Sequence, residues 1–247
     1  MGQSFLIDDM TLKTIINTAQ LTQKDIILEI GPGIGTLTRE LAKKAKRVIA
    51  IEKDGKMVEI LKEILRDYDN IEIIKGNALK ITNLPTTHYK LVSNIPYYLT
   101  SPIIRKFLEE KNKPGTIVLM VQKEVAQRIC SKPPRMSLLA VATQFYAKPE
   151  IVSCVSKKCF WPIPKVDSAI IRISNIKNQK SKIFIERFFK IVRAGFLQPR
   201  KQLANNLSKA LKKDKNKINL WLLKNNIDPK QRAETLSIEN WINLTKN

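Results

Sequence analysis

The sequence is poor in the residues that build disulfide frameworks, metal centres and general bases. Its three cysteines, Cys130, Cys154 and Cys159, are odd in number and form no C-x-x-C pair. That argues against a disulfide scaffold or a zinc site and fits a reducing, cytoplasmic setting. The single histidine, His88, lies in the turn "LPTTHYK", so a Ser-His-Asp arrangement has little support and no metal ligands are expected. The first residues show no basic-then-apolar signal pattern, so no targeting to a membrane is expected. Although the chain begins Met-Gly, Leu6 stands where a myristoylation signal needs Ser or Thr. Neither an apolar span nor an amphipathic basic helix suggests a membrane. Acidic residues are scarce as well: 22 Asp+Glu face 44 Lys+Arg, a formal charge of +22 in 247 residues. A polyanionic nucleic acid rewards such a surface through counterion release. A Lys-rich composition producing only solvated faces is the plainer alternative.

What is present has α/β logic. The runs "DIILEIG", "RVIAIE", "NIEIIKG", "YKLVSNI" and "TIVLMV" are apolar at nearly every position, as parallel strands covered on both faces must be. Between them, "TLTRELAKKA", "GKMVEILKEIL" and "SPIIRKFLEE" have the three-and-four spacing of amphipathic helices. The pattern predicts an open, doubly wound Rossmann-like sheet with ligands at the carboxyl ends of its strands. Upstream, "IDDMTLKTIINTAQL" reads as a helix capped by Asp8 or Asp9. After "SAIIRIS" the polar stretch "NIKNQKSK" interrupts the pattern, and helical spacing in a Lys-, Asn- and Leu-rich sequence follows. We therefore expect a catalytic domain over 1–176 and a small basic helical domain over 177–247.

At the first strand-to-helix junction, "LEIGPGIGTLT" places Gly31, Gly33 and Gly35 where a tight turn and close backbone approach to a ligand are possible. The spacing is G-x-G-x-G. A dinucleotide loop needs a further glycine where Thr36 stands, so NAD is disfavoured. Glu52, closing the second strand about 20 residues later, can accept from both hydroxyls of a ribose. Together the loop and Glu52 favour an S-adenosylmethionine pocket. Asn77 follows the third strand and offers a carbonyl to an adenine amino group, although an Asn capping its own turn is the simpler reading of that residue alone.

At "SNIPYYLTSP" the chain resembles a family. Asn94, Ile95, Pro96 and Tyr97 match the N-[IL]-P-[YF] motif of amino methyltransferases, and the surrounding residues are similar to those of the ribosomal RNA adenine dimethyltransferases. In chain order, "GQSFLID", "EIGPGIGTLT", "VQKEVAQRI" and "FWPIPKVDSAIIRI" resemble further segments of that family. "FLQPRKQLANNL" resembles the basic segment of its small-subunit, KsgA-type branch. Asn77 stands where the family has Asp, which keeps an acceptor and loses a charge. The region around "PPRMSLLAV" also departs from the family pattern.

The resemblance implies a class I methyltransferase sheet, mostly parallel with the last strand antiparallel, followed by an all-helical domain. It implies transfer of methyl groups from S-adenosylmethionine to the exocyclic amines of two adjacent adenosines near the end of small-subunit RNA, by a cytoplasmic monomer. Asn94, with the backbone carbonyl of Ile95 or Pro96, would hold the amine, Tyr97 would stack on the base, and Phe160 would close its other face. For Tyr98 ordinary core packing is expected. Gln3 and Leu6 would cover the cofactor beside Gly31, Gly33, Glu52, Asn77 and Asn94, with simple packing of the leading segment as the alternative. Arg200 and Lys201 are candidates for phosphate contacts. A large-subunit methylase of the resistance type and a non-catalytic RNA-binding assembly or transcription factor are the competing readings.

Overall fold

The computed structural model describes residues 4–81, 88–177 and 181–246. Two compact units emerge. The first comprises the chain through Gln127 together with Ala147–Ile176; the second comprises Arg128–Tyr146 and the chain from Lys177 onward.

The first unit opens with β1 (Phe5–Leu6) and α1 (Asp9–Ala19). Of the two candidate caps Asp8 is the one used: its carboxylate accepts from the Thr11 amide at 2.7 Å and the Thr11 hydroxyl at 2.6 Å. Then follow β2 (Ile26–Ile30), α2 (Thr36–Ala42), β3 (Arg47–Glu52), α3 (Gly55–Ile64), β4 (Ile71–Lys75), β5 (Lys90–Asn94), α4 (Thr100–Glu109) and β6 (Thr116–Gln122). α5 (Lys123–Ile129) carries the chain into the second unit, and β7 (Lys148–Val155), β8 (Phe160–Trp161) and β9 (Ser168–Ser174) return to the first.

Seven strands form one sheet in the order β4-β3-β2-β5-β6-β9-β7. Strands β2 to β6 pair in parallel, whereas β9 runs antiparallel to both β6 and β7. The central strands are buried on both faces, as their continuous apolar runs require. Leu12, Ile15 and Ala19 of α1 pack with Leu37 and Leu41 of α2 against Ile27, Val92 and Val118 of the sheet. The chain winds outward from β2 to β4 and then resumes at β5 on the other side of β2. That reversal opens a crevice between the ends of β2 and β5.

The second unit consists of α6 (Leu138–Tyr146), α7 (Lys182–Gly195), α8 (Leu203–Leu211), α9 (Lys215–Lys224) and α10 (Ile238–Lys246). Its inclusion of Arg128–Tyr146 corrects the expected division, which placed that segment in the catalytic domain. The cause is aromatic. Phe145 of α6 stacks on Phe188 with ring centres 4.1 Å apart and meets Phe189 edge-on, while Tyr146 stacks on Phe189.

At the end of α7, Gly195 lies against the fully buried Trp241 of α10 and against Leu203. A methyl group there would overlap the rigid edge of the indole. The gain in helix propensity from Gly to Ala is about 1 kcal/mol, whereas forcing extra volume into a packed core costs about 1–3 kcal/mol. The cost wins, because the ring has no room to rotate away. We predict that Gly195→Ala lowers stability by up to about 2 kcal/mol, a few degrees in Tm, measured by urea and thermal denaturation. An unchanged or raised Tm would show that the helices part more easily than this packing allows.

Candidate active site

The crevice is held open by a side chain. β2 and β5 pair through Ile27–Lys90 and Leu28–Leu91. Past that point the buried Ser93 hydroxyl bridges the two strands: it accepts from the Ile30 N–H at 3.3 Å and donates to the Ile30 carbonyl at 2.5 Å. It satisfies backbone groups that would otherwise be orphaned in the core. It also fixes the turn after β2 beside the turn after β5. Gly31, Gly33 and Gly35 have φ of 68°, 60° and 77°, the left-handed region that favours glycine. A Cβ on Gly31 would come within 3.3 Å of the Pro96 ring, so the glycine loop and the "NIPY" turn abut.

Between these turns lies a cavity of about 790 Å³, within the usual range for cofactor sites. It brings together Leu6, Gly31, Gly33 and Asn94, and with them Ile95, Pro96, Tyr97 and Phe160. Asn94 is the last residue of β5, and its side chain makes no hydrogen bond among the described residues. The Ile95 and Pro96 carbonyls differ in their partners. Pro96 C=O already accepts from the Leu99 N–H at 2.9 Å, and no backbone donor reaches Ile95 C=O among the described residues. Asn94 and Ile95 thus supply the two uncommitted acceptors.

Tyr97 opens a single 3-10 turn, Tyr97–Leu99, and its hydroxyl lies 2.9 Å from Oγ of the buried Ser168 at the start of β9. That bond fixes the phenol and leaves the ring against the cavity. Phe160, 2% exposed, reaches the same cavity from β8, which pairs with β1 and holds Leu6 opposite Phe160. Tyr98 corrects the core expectation: it is 77% exposed and lines the cavity mouth. In so tight a turn consecutive side chains diverge, and with Tyr97 directed to Ser168 its neighbour turns outward. Ser168 and Ser93 escaped the sequence reading because a serine inside a strand carries no periodic signal.

Glu52 and Asn77 do not line this cavity: Glu52 ends β3, the strand beside β2, and Asn77 follows β4, one strand farther out. Glu52 is buried, and one carboxylate oxygen accepts from the amides of Lys53 and Asp54 at 2.7 and 2.9 Å. The other makes no hydrogen bond among the described residues. Asn77 uses its carbonyl to accept from the Leu79 N–H at 3.0 Å, the self-capping turn. Gln3 lies outside the described residues. Arg200 and Lys201 sit exposed in the turn between α7 and α8. The buried Asn206 braces that turn by donating to the carbonyls of Gly195 and Gln198. Among the described residues no group of His, Cys, Asp and Glu could hold a metal ion, and no helix is long and apolar enough to cross a membrane.

Sequence reasoning missed Glu29, which lines the cavity one residue before the end of β2. Its signal was present: one acid inside a strand buried on both faces. At 1% exposure, with one carboxylate oxygen lacking a hydrogen-bond partner among the described residues, burial pushes its pKa up to about 8. The neighbouring Thr38 hydroxyl pulls the other way, and the charge on Glu52 adds to the rise. Between the ordinary carboxylate value and about 8 the folded protein keeps a proton that the unfolded chain has lost. Stability from this group is therefore complete at low pH and falls as pH rises through that window, by about 1.4 kcal/mol per pH unit. Glu29→Gln cannot titrate. Urea denaturation from pH 5 to 8 should show the variant gaining stability over the parent as pH rises; parallel profiles would mean that Glu29 is ionised in the folded state.

Comparison with known proteins agrees with this geometry. A family model described as ribosomal RNA adenine dimethylase matches residues 1–246. "Ribosomal RNA small subunit methyltransferase A" of Clostridium botulinum (strain Loch Maree / Type A3) is 42% identical, covering 99% of this chain and 91% of that protein. The protein of the same name from Dehalococcoides mccartyi (strain BAV1) is 44% identical, with 99% and 86% covered. Among solved structures, a dimethyladenosine transferase from Plasmodium falciparum superposes with a TM-score of 0.80 at 27% identity, covering 97% of this chain and 95% of that one. The 23S rRNA methyltransferase ErmE superposes with a TM-score of 0.79 at 30% identity, covering 98% of each chain. The chain belongs to the ribosomal RNA adenine dimethylase family.

Proposed function

We propose that this protein transfers methyl groups from S-adenosylmethionine to the exocyclic amines of two adjacent adenosines near the 3′ end of small-subunit ribosomal RNA. The observation that carries the reading is the pair of uncommitted acceptors, Asn94 Oδ1 and Ile95 C=O, on the wall of a cavity shared with the glycine loop, Tyr97 and Phe160.

The residues present fit the cofactor. Glycine backbone without side chains gives it room. Glu29 keeps a buried, unpartnered carboxylate oxygen that a cationic amino group would satisfy, and the free oxygen of Glu52 remains for ribose hydroxyls. When bound, the cofactor supplies a methyl group on a cationic sulfur. An adenine amine is a poor nucleophile because its lone pair is delocalised into the ring. Two fixed acceptors draw its hydrogens out of the ring plane and favour the pyramidal form, whose lone pair is free to attack. Ser93 and Pro96 fix those acceptors, and Tyr97 and Phe160 hold the base. The methylated amine, now cationic and strongly acidic, gives its proton to solvent, since the Asn94 and Ile95 carbonyls orient the N–H groups but are too weakly basic to keep a proton. Positioning does most of the work, and no strong base is needed.

Small-subunit RNA is preferred as substrate because relatives more than 40% identical over nearly the whole chain carry that name, whereas the large-subunit enzyme ErmE is 30% identical. A purely RNA-binding role would leave the two convergent acceptors without a purpose. We predict that Asn94→Ala lowers transfer of labelled methyl groups to unmethylated small subunits by about two to three orders of magnitude, the usual consequence of losing one preorganised polar contact. RNA affinity should change less than threefold. Equal loss of transfer and binding would remove the assigned role, and labelling of large-subunit RNA instead would favour the resistance-type reading.

A further inference from the structure

The excess charge is unevenly divided. The second unit carries twenty Lys and Arg against five Asp and Glu, while the first carries twenty-four against seventeen. Within the second unit, a pocket of about 230 Å³ is walled by Arg187 and Lys190 of α7, Lys213 of the turn after α8, and Trp221 of α9, with Ile191 and Leu211 at its base. No acid lines it, and none of its three cations forms an ion pair among the described residues. Two acids adjoin these cations in sequence: Glu186, beside Arg187, faces Lys182 at 4.0 Å, and Asp214, beside Lys213, is spent capping α9 through the amides of Asn216 and Lys217. The turn bearing Lys213 is held at both backbone groups, since Lys213 N–H donates to Ser208 C=O and the Ser208 hydroxyl donates to Lys213 C=O.

We propose that this pocket binds one unpaired nucleotide of ribosomal RNA, with its base against the Trp221 indole and its phosphates on Arg187, Lys190 and Lys213. The inference rests on the reading that the chain acts on ribosomal RNA. The volume is too small for a whole cofactor and suits a single base. Cations alone would serve any polyanion. An indole among three unpaired cations is the combination that single-stranded nucleic acid rewards, since stacking adds about 1–3 kcal/mol per base without reading sequence.

The test compares Trp221→Phe, which keeps a stacking face, with Trp221→Leu, which keeps apolar bulk only, and with Arg187→Ala/Lys213→Ala. Affinity for small-subunit RNA is measured across a salt series, alongside thermal denaturation and labelled methyl transfer. Trp221→Leu should weaken binding about tenfold while Trp221→Phe stays within about threefold. The double variant should flatten the log–log salt slope by about 2. Melting temperatures and cofactor affinity should be unchanged. Equal affinity for all variants, or equal weakening by Phe and Leu with a lowered melting temperature, overturns the site. Competition by polyglutamate as strong as by an oligoribonucleotide of equal charge would reassign it to an acidic protein segment. If the parent protein transfers methyl groups and the Leu variant binds normally, the pocket fails and the enzymatic reading stands. If the parent transfers none, that reading fails, while the binding series still decides the pocket.

Discussion

The site depends on the place where β2 and β5 stop pairing. Had the ladder continued, the carboxyl ends of the two strands would have closed on one another. Instead a serine hydroxyl substitutes for two main-chain partners at Ile30, and the strands part with both of its backbone groups satisfied. From that parting follow the glycine turn on one side and Asn94-Ile95-Pro96 on the other. Gly31 lies so near the Pro96 ring that a Cβ there would come within 3.3 Å of it. A side chain at Gly31 would both strain the backbone and displace the proline that sets the Ile95 carbonyl.

The two units divide the physical work. The first, with a net charge of +7 against +15 in the second, builds a cavity with one buried acid and two uncommitted acceptors on its wall. The second holds most of the surplus positive charge around an aromatic core, with Thr143, Asn206 and Thr245 as its buried polar residues among those described. On the proposed function, the second kind of surface would attract a polyanionic substrate and the first would transform it.

Much of this was legible in the residues. β2 to β6 announced themselves as apolar runs, because strands covered on both faces have no polar side to interrupt them. The glycine turn, Asn94, Pro96, Tyr97 and Phe160 followed from spacing and resemblance, and the structure gathers them on one cavity. β7 went unread because it is an edge strand, mostly exposed and without a run or clean alternation. Arg128–Tyr146 was assigned to the wrong unit because its partners, Phe188 and Phe189, lie more than forty residues away in sequence. Glu29 was passed over as one letter in a motif valued for its glycines, and its importance lies in a burial that no local pattern records. Tyr98 was placed inside when its neighbour's bond to Ser168 turns it out.

A structure of the protein with a cofactor analogue and a short adenosine-containing RNA tests the central claim most directly. The account predicts the exocyclic nitrogen at hydrogen-bond distance, about 3 Å, from both Asn94 Oδ1 and the Ile95 carbonyl, with the purine against Tyr97. A purine seated elsewhere in the cavity, with its amine beyond reach of both oxygens, would contradict it.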